Sequence, residues 1–197
     1  FDAIKAVKAG SSVAAIAGDL VDAETMFAAK ALVKALGSDL IEGRQTGRDY
    51  DTRNIAAANF NSTIAGIETA DAILLVGTNP RWEATLVNTR IRKAVKKGAR
   101  VFAVGPQIDL TYKVEWLGDD LGVLARLPKA WLDAFKGAQR PALILGGGGL
   151  AAGAQGASLA LVETLGLIKD GWNGYNVLHM AASRMAGLML GFAQEGG

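Results

Sequence analysis

The sequence contains no cysteine and a single histidine. The first absence excludes disulfides, thiolate nucleophiles, zinc ribbons and cysteine-ligated iron–sulfur clusters from this stretch, and is compatible with a reducing compartment. The second excludes a multi-histidine metal centre. Neither sign of charge dominates: 21 Lys and Arg face 19 Asp and Glu, a net charge of +2. That balance provides no electrostatic footprint for nucleic acid or an acidic membrane surface. No run is long enough to span a bilayer. The most membrane-like stretch, Val177 to Phe192, is interrupted by His179, Ser183 and Arg184 and falls short of the roughly 20 apolar residues required. It is expected to form an amphipathic core helix. The opening Phe1-Asp2-Ala3-Ile4-Lys5 has neither a basic nor an apolar signal region and no initiator methionine. The closing Gln194-Glu195-Gly196-Gly197 reads as a cut end. The chain is expected to be an excised piece of a longer one.

What is present is 50% hydrophobic, enough for a substantial core. Short apolar runs alternate with helical segments. Val13 to Ala17, Leu40-Ile41, Ala72 to Val76, Arg100 to Val104 and Ala142 to Leu145 are the expected strands, with Thr111 to Trp116 a short further one. Asp22 is placed to cap a helix through Leu36, with Met26, Ala29, Val33 and Leu36 on one face and Gly37 as its stop. Glu83 to Lys97 is expected to be one helix. Gly122 to Lys136 is another, interrupted at Pro128, and a third runs to about Leu165. Asn54 to Ile67 reads as helical or mixed; Glu42 to Asn54 and Gly166 to Asn176 read as loops.

This alternation describes an α/β fold of parallel, Rossmann-like sheets flanked by helices. Such sheets bind ligands at the carboxyl ends of their strands, so the candidate site loops follow Ala17, Val76, Val104 and Leu145. The linker-like Gly137-Ala138-Gln139-Arg140-Pro141 sets the expected boundary between a first lobe, residues 1–137, and an incomplete second lobe, 138–197. A chain cut after Gly137 is expected to fold alone.

The turn Val76-Gly77-Thr78-Asn79-Pro80 sits at one such strand end. Its glycine allows close backbone approach; its threonine and asparagine offer hydrogen bonds. With Gly98-Ala99-Arg100, Val104-Gly105-Pro106-Gln107 and Leu117-Gly118-Asp119-Asp120 it resembles the molybdopterin-dinucleotide oxidoreductases, formate dehydrogenases and dimethyl sulfoxide reductases, in which a Gly-x-Asn-Pro turn touches the cofactor. A narrower resemblance runs from about Gly18 to Gly191. Asp19 to Glu24, Ala70 to Ala84, Asn88 to Lys93, Asp109-Leu110-Thr111-Tyr112 and Asn176-Val177-Leu178-His179 with Ala182-Ser183 are similar, in the same order, to the large iron–sulfur subunit of respiratory NADH–quinone oxidoreductase, complex I.

That resemblance implies a formate dehydrogenase-like or dimethyl sulfoxide reductase-like fold and a place in the peripheral arm. That arm lies on the cytoplasmic or mitochondrial matrix side of the inner membrane and passes electrons from NADH towards quinone. The implied partners are the other peripheral-arm subunits, with no nucleic acid and no direct membrane insertion. Iron–sulfur clusters are expected in the missing amino-terminal part, and none in this chain. No catalytic residue and no metal ligand is expected here, and no cofactor-binding residue either. Active molybdoenzymes carry Asp-Pro-Arg where Gly105-Pro106-Gln107 stands, and present a Cys, selenocysteine or Ser to the metal. The vestigial candidates are Gly77, Thr78, Asn79 and Asp120. Asp120 falls where active relatives hold guanine, and reads otherwise as a helix cap before Leu121. The alternatives are a working molybdopterin-dinucleotide oxidoreductase fragment, and a nucleotide-binding module.

The second alternative rests on Gly146-Gly147-Gly148-Gly149-Leu150-Ala151, which fits Gly-x-Gly-x-x-Ala after a strand. Four glycines satisfy many patterns, however, and a structural turn is the preferred reading. His179 is expected to be a buried, hydrogen-bonded core residue. Arg90, Arg92, Lys93, Lys96 and Lys97 form a solvated helix face. Arg44, Arg48 and Arg53, interleaved with Asp49 and Asp51, suggest a loop held by ion pairs. Trp82, Trp116, Trp131 and Trp172 lie near element ends, suited to an interface or to packing over a sheet edge.

Overall fold

The computed structural model describes residues 2–6, 13–44, 46 and 50–193. In chain order they form α1 (Asp2–Lys5), β1 (Ala14–Ile16), α2 (Ala23–Ala35) and β2 (Leu40–Glu42). Two short 3₁₀ turns, Ile55–Ala57 and Gly66–Thr69, lead to β3 (Ala72–Val76), α3 (Pro80–Glu83), α4 (Thr85–Lys96), β4 (Arg100–Val104) and β5 (Glu115–Trp116). A 3₁₀ segment, Leu121–Arg126, precedes α5 (Lys129–Gly137), β6 (Pro141–Leu145), α6 (Gly147–Ala151) and α7 (Gln155–Thr164). The remainder is β7 (Ile168–Lys169), β8 (Trp172–Asn173), β9 (Tyr175–Val177) and α8 (Arg184–Leu190). These fall into two compact units, Phe1–Thr52 with Met180–Gly197, and Arg53–His179.

In the first unit β1 and β2 pair in parallel, from Ala14↔Leu40 to Ile16↔Glu42, with α2 as the crossover. As expected, Asp22 caps α2: its carboxylate accepts from the Thr25 N–H at 2.7 Å and from the Thr25 hydroxyl at 2.9 Å. Those bonds hold its carboxyl below the ordinary value. Met26 and Val33 turn inward onto Ala17, Ile41 and Phe192. Arg184, buried at the start of α8, donates to Gly43 O and to Asp19 Oδ1, while the Ser183 hydroxyl donates to Gly18 O at 3.1 Å. One buried guanidinium thus joins α8 to the loops that leave β1 and β2. Arg44 is also buried and forms a two-pronged pair with Glu42; Arg48 and Asp49 lie outside the described residues.

In the second unit the strand order is β5-β4-β3-β6-β9, parallel throughout. Its three central strands are almost wholly buried, which is why they read as unbroken Val, Ile, Leu and Ala runs. One face packs on α4 through Val87, Ile91 and Ala94. On the amphipathic α5, Trp131 and Phe135 are buried and stack on Phe102 of β4, ring centroids 4.9 and 5.4 Å apart.

The structure corrects three expectations. Gly137 to Pro141 is not a boundary between lobes. β6 pairs residue for residue with β3, from Ala72↔Pro141 to Val76↔Leu145. Asp71 pins the apparent linker, accepting from the N–H groups of Gln139 at 2.7 Å and Arg140 at 2.9 Å. Val177 to Phe192 is not one helix: β9 ends at Val177 and α8 begins only at Arg184. Gly166 to Asn176 is not loop, because β7 and β8 form a hairpin there and β9 completes the sheet. The cause is Asn176, fully buried. Its Nδ2 donates to Ser62 Oγ and Gly174 O, and its Oδ1 accepts from Ser62 N at 2.8 Å. A lone polar residue between apolar neighbours hides a strand from period counting.

A chain ending at Gly137 would lose β6 and leave a long edge of β3 unpaired. It is expected to show no cooperative thermal transition by circular dichroism; a sharp melt would reinstate the boundary at Gly137.

Candidate functional site

After β3 the chain crosses towards β4; after β6 it crosses the opposite way, towards β9. The carboxyl ends of β3 and β6 therefore flank a topological switch point, where open α/β sheets form a ligand crevice. A cleft of about 460 Å³ lies there. The β3 end contributes Gly77, Thr78 and Asn79, with Glu83 beyond them. The β4 end contributes Gly105, Pro106 and Ile108; the remaining wall is Asp119, Leu121, Gly148 and Ala152. Two carboxylates line this cleft, and no Lys, Arg or His among the described residues does.

The crevice is narrowed by backbone. Gly77, at φ 51°, presses on the glycine run after β6: a Cβ there would lie 2.3 Å from Gly149 N. A Cβ on Gly146 would lie 2.2 Å from the Thr78 Cβ, and one on Gly148 2.8 Å from Gly77 O. Gly77 and Gly148 are needed where the two loops meet main chain to main chain, and Gly146 where the loop meets the Thr78 and Glu83 side chains. Their donors are spent in that contact. Gly146 N donates to Val76 O at 3.0 Å and Gly149 N to Gly77 O at 2.9 Å. Gly147 N donates to Glu83 Oε2 at 2.8 Å. Three of the four N–H groups of the supposed dinucleotide fingerprint thus have partners inside the protein, as a structural turn requires.

Glu83 was missed as a site residue because the sequence reads as one helix from Glu83 to Lys97. The helix breaks instead at Ala84, whose φ of −155° and ψ of 72° are not helical. The side chain of Glu83, half-buried, turns back, and its Oε1 accepts from Asn79 N at 2.6 Å. Glu83 N also donates to Asn79 O, the ordinary main-chain bond of a helical turn, so only the Glu83 side chain caps, reaching back to the Asn79 N–H. The signal was available: Asn-Pro followed by an acidic residue marks a helix start. What no local pattern reveals is that the second carboxylate oxygen reaches Gly147, 64 residues away.

Of the vestigial candidates, Gly77, Thr78 and Asn79 come together in the cleft. Asp120 does not line it; its Oδ1 accepts from Gly122 N at 2.8 Å, the cap reading. Its neighbour Asp119 takes the place in the wall. Gln107 is exposed and outside the lining. Thr78 Oγ1 and Asn79 Oδ1 are buried without a hydrogen-bond partner among the described residues. No group of three or more His, Asp or Glu among those residues is placed to hold a metal, and no helix is long and apolar enough to cross a membrane.

The other matched blocks form internal struts. The Tyr112 hydroxyl donates to Asn88 Oδ1 at 2.7 Å, and burial pushes the phenol above its usual range. Asp109 accepts from Thr111 N and pairs with Arg81 at 3.1 Å. His179 Nε2 meets Ala58 O, the hydrogen bond expected, although the residue is half-buried rather than buried in the core. Within the basic helix face, Arg90, Lys97 and Lys93 surround Glu68; Arg90 first, then Lys97, hold its carboxyl down to about 2 from an ordinary 4.5. Trp131 and Trp172 are buried, the latter donating to Pro141 O, while Trp82 stands 82% exposed on α3.

The backbone contact is open to test. Gly77→Ala and Gly149→Ala should each lose more than about 2 kcal/mol of stability in urea titrations, from overpacking that only backbone movement relieves. Gly156→Ala, with open space around its Cβ position, should change stability by less than about 1 kcal/mol, in the stabilising direction. Similar losses at all three positions would contradict the interdigitation.

A family model for molybdopterin oxidoreductase matches residues 1–197. A protein of Rickettsia prowazekii (strain Madrid E) named as a subunit of NADH-quinone oxidoreductase is 38% identical over 199 residues, covering 97% of this chain and 29% of that protein. NADH dehydrogenase (ubiquinone) iron-sulfur protein 1, mitochondrial, of Solanum tuberosum is 40% identical over 190 residues, covering 91% and 26%. The chain thus spans less than a third of the length of these relatives. A match along its whole length, on a parallel sheet flanked by helices, places the chain in the molybdopterin oxidoreductase family.

Proposed function

We propose that this chain is a scaffold domain of a complex I peripheral-arm subunit, which contributes to NADH:quinone electron transfer by holding cluster-bearing parts of the subunit and contacting neighbouring subunits. It carries no redox centre itself. The relatives named as a subunit of NADH-quinone oxidoreductase and as an iron-sulfur protein of NADH dehydrogenase support the setting. On this reading the protein sits on the cytoplasmic or matrix side of the inner membrane, with iron–sulfur clusters in the amino-terminal part of the subunit.

The single observation that carries the loss of the pterin dinucleotide is the charge of the crevice. A pterin dinucleotide is a polyanion whose pyrophosphate needs several convergent donors. The cleft lining offers two carboxylates and no cation among the described residues. The Asn79 and Gly147 N–H groups are already taken by Glu83, and Gly105 and Gln107 supply no charge at the β4 end. Each missing charge-assisted hydrogen bond weakens binding by about 1.5–3 kcal/mol. Two such losses amount to roughly a hundredfold or more, at about 1.4 kcal/mol per tenfold. The residues present do not fit the group.

The test is to denature and oxidise the purified full-length subunit and assay for the fluorescent pterin derivative. No pterin is expected. A stoichiometric yield would sink the scaffold reading in favour of a working molybdoenzyme.

A further inference from the structure

We propose that Asn173 is a conditional modification site: its conversion to aspartate or isoaspartate is blocked in the folded chain and released when the β7–β9 segment opens. Asn173 is followed by Gly174. In such a dipeptide the glycine main-chain nitrogen, having given its proton to water, attacks Cγ of the asparagine. The new C–N bond closes a succinimide while the bond from Cγ to Nδ2 breaks. The departing nitrogen takes up a proton and leaves as ammonia. Water then opens the ring at either carbonyl, giving aspartate or isoaspartate. Only water is consumed, and nothing is oxidised or reduced. Asparagine is thermolabile for this reason, and a following glycine puts no side chain in the way of the attack. The inference does not depend on the scaffold reading.

The fold clamps the peptide group that would react. Gly174 is buried at the junction of β8 and β9. Its N–H donates to Leu167 O at 2.8 Å, so the attacking nitrogen cannot lose its proton while that bond stands. The carbonyl of the same peptide group, Asn173 O, accepts from the Ser62 hydroxyl at 2.8 Å. The group is therefore held at both ends, and it must turn for the nitrogen to approach Cγ. The target is held as well: Asn173 Oδ1 accepts from Tyr175 N at 3.0 Å. Beyond it, Gly174 O accepts from Leu143 N at 2.8 Å and from Asn176 Nδ2 at 2.9 Å. Ring closure thus requires the junction to open first.

Packing explains why the chain carries a labile pair here. A Cβ on Gly174 would lie 1.9 Å from Pro141 O, 2.8 Å from Trp172 Nε1 and 3.0 Å from Leu167 O, so no side chain fits at that position. Asn173 in turn bonds to the strand it leads into, through Tyr175 N. The same packing makes the modification destructive. Isoaspartate adds one methylene to the main chain between the Asn173 Cα and the Gly174 nitrogen. The bonds to Ser62, Leu167 and Leu143 cannot then all re-form. Strand β9 sits at the sheet edge and pairs with β6 alone, so it has no second strand to hold it in place.

The experiment uses the unaltered full-length subunit in its native assembly. Samples are held at mildly alkaline pH, folded or in urea, and digested with trypsin at intervals. Isoaspartate in the peptide covering residues 170–184 is then measured by chromatography and mass spectrometry. Asn54, exposed and followed by Ile55, is the reference within the same chain. In urea Asn173 should convert far faster than Asn54. In the folded assembly it should convert about a hundredfold more slowly than in urea, which corresponds to an opening free energy of about 3 kcal/mol. Equal rates at Asn173 in the two conditions would show that the fold gives no protection. Conversion in urea no faster than at Asn54 would show that the dipeptide is not a site. Either result overturns the proposal. Warming the assembly to raise the open population should produce isoaspartate at Asn173 in subunits that have left it. Equal amounts in subunits that remain assembled would overturn the claim that the modification breaks the junction.

Discussion

Gly77 and the glycine run after β6 approach so closely that no side chain fits between them, and the character of this end of the sheet follows from that contact. Parallel strands leave their carboxyl ends open at a switch point, with unpaired N–H groups directed outwards. In this chain those groups are used internally. Gly146 and Gly149 bond to the β3 end, and Gly147 and Asn79 bond to Glu83. The cost is conformational freedom in a short stretch rich in glycine. The gain is a sheet end that holds its shape through its own residues. On the scaffold reading proposed above, such a sheet end is worth more than an open crevice.

Polar anchors of the same kind fix the rest of the architecture. Asp71 fastens the start of β6 beside β3, and Asn176 fastens residues 59–62 against β9. In the other unit Arg184 ties α8 to the ends of both strands. Each is a side chain joined to the main chain of a distant segment. Such bonds matter because a buried donor or acceptor left unmet costs more than the bond itself contributes. Several of these anchors lie in the sequence blocks that carry the resemblance to complex I, where they read as recognition motifs and serve as struts.

The buried strands, the Asp22 cap and its helix, and the cap role of Asp120 were legible in the sequence, because each depends on neighbours within a few residues. What escaped depends on distant partners. Gly137 to Pro141 has the composition of a linker, and only Asp71 and the register with β3 reveal it as a strand entrance. β9 escaped because Asn176 interrupts an apolar run that the buried network requires. Within the site, the turn at Gly77 was legible from its residue types, and the glycine run was correctly read as structural. Glu83 was not legible, since its second oxygen is satisfied by a loop 64 residues away.

The anion at this switch point is supplied by the protein, as the Glu83 carboxylate. High-resolution density for the assembled complex tests it most directly. The account predicts the Glu83 carboxylate bridging Asn79 N and Gly147 N, with only water or side chains in the adjoining cleft. Density for a phosphate-bearing molecule between those two amides, with Glu83 turned away, would contradict it.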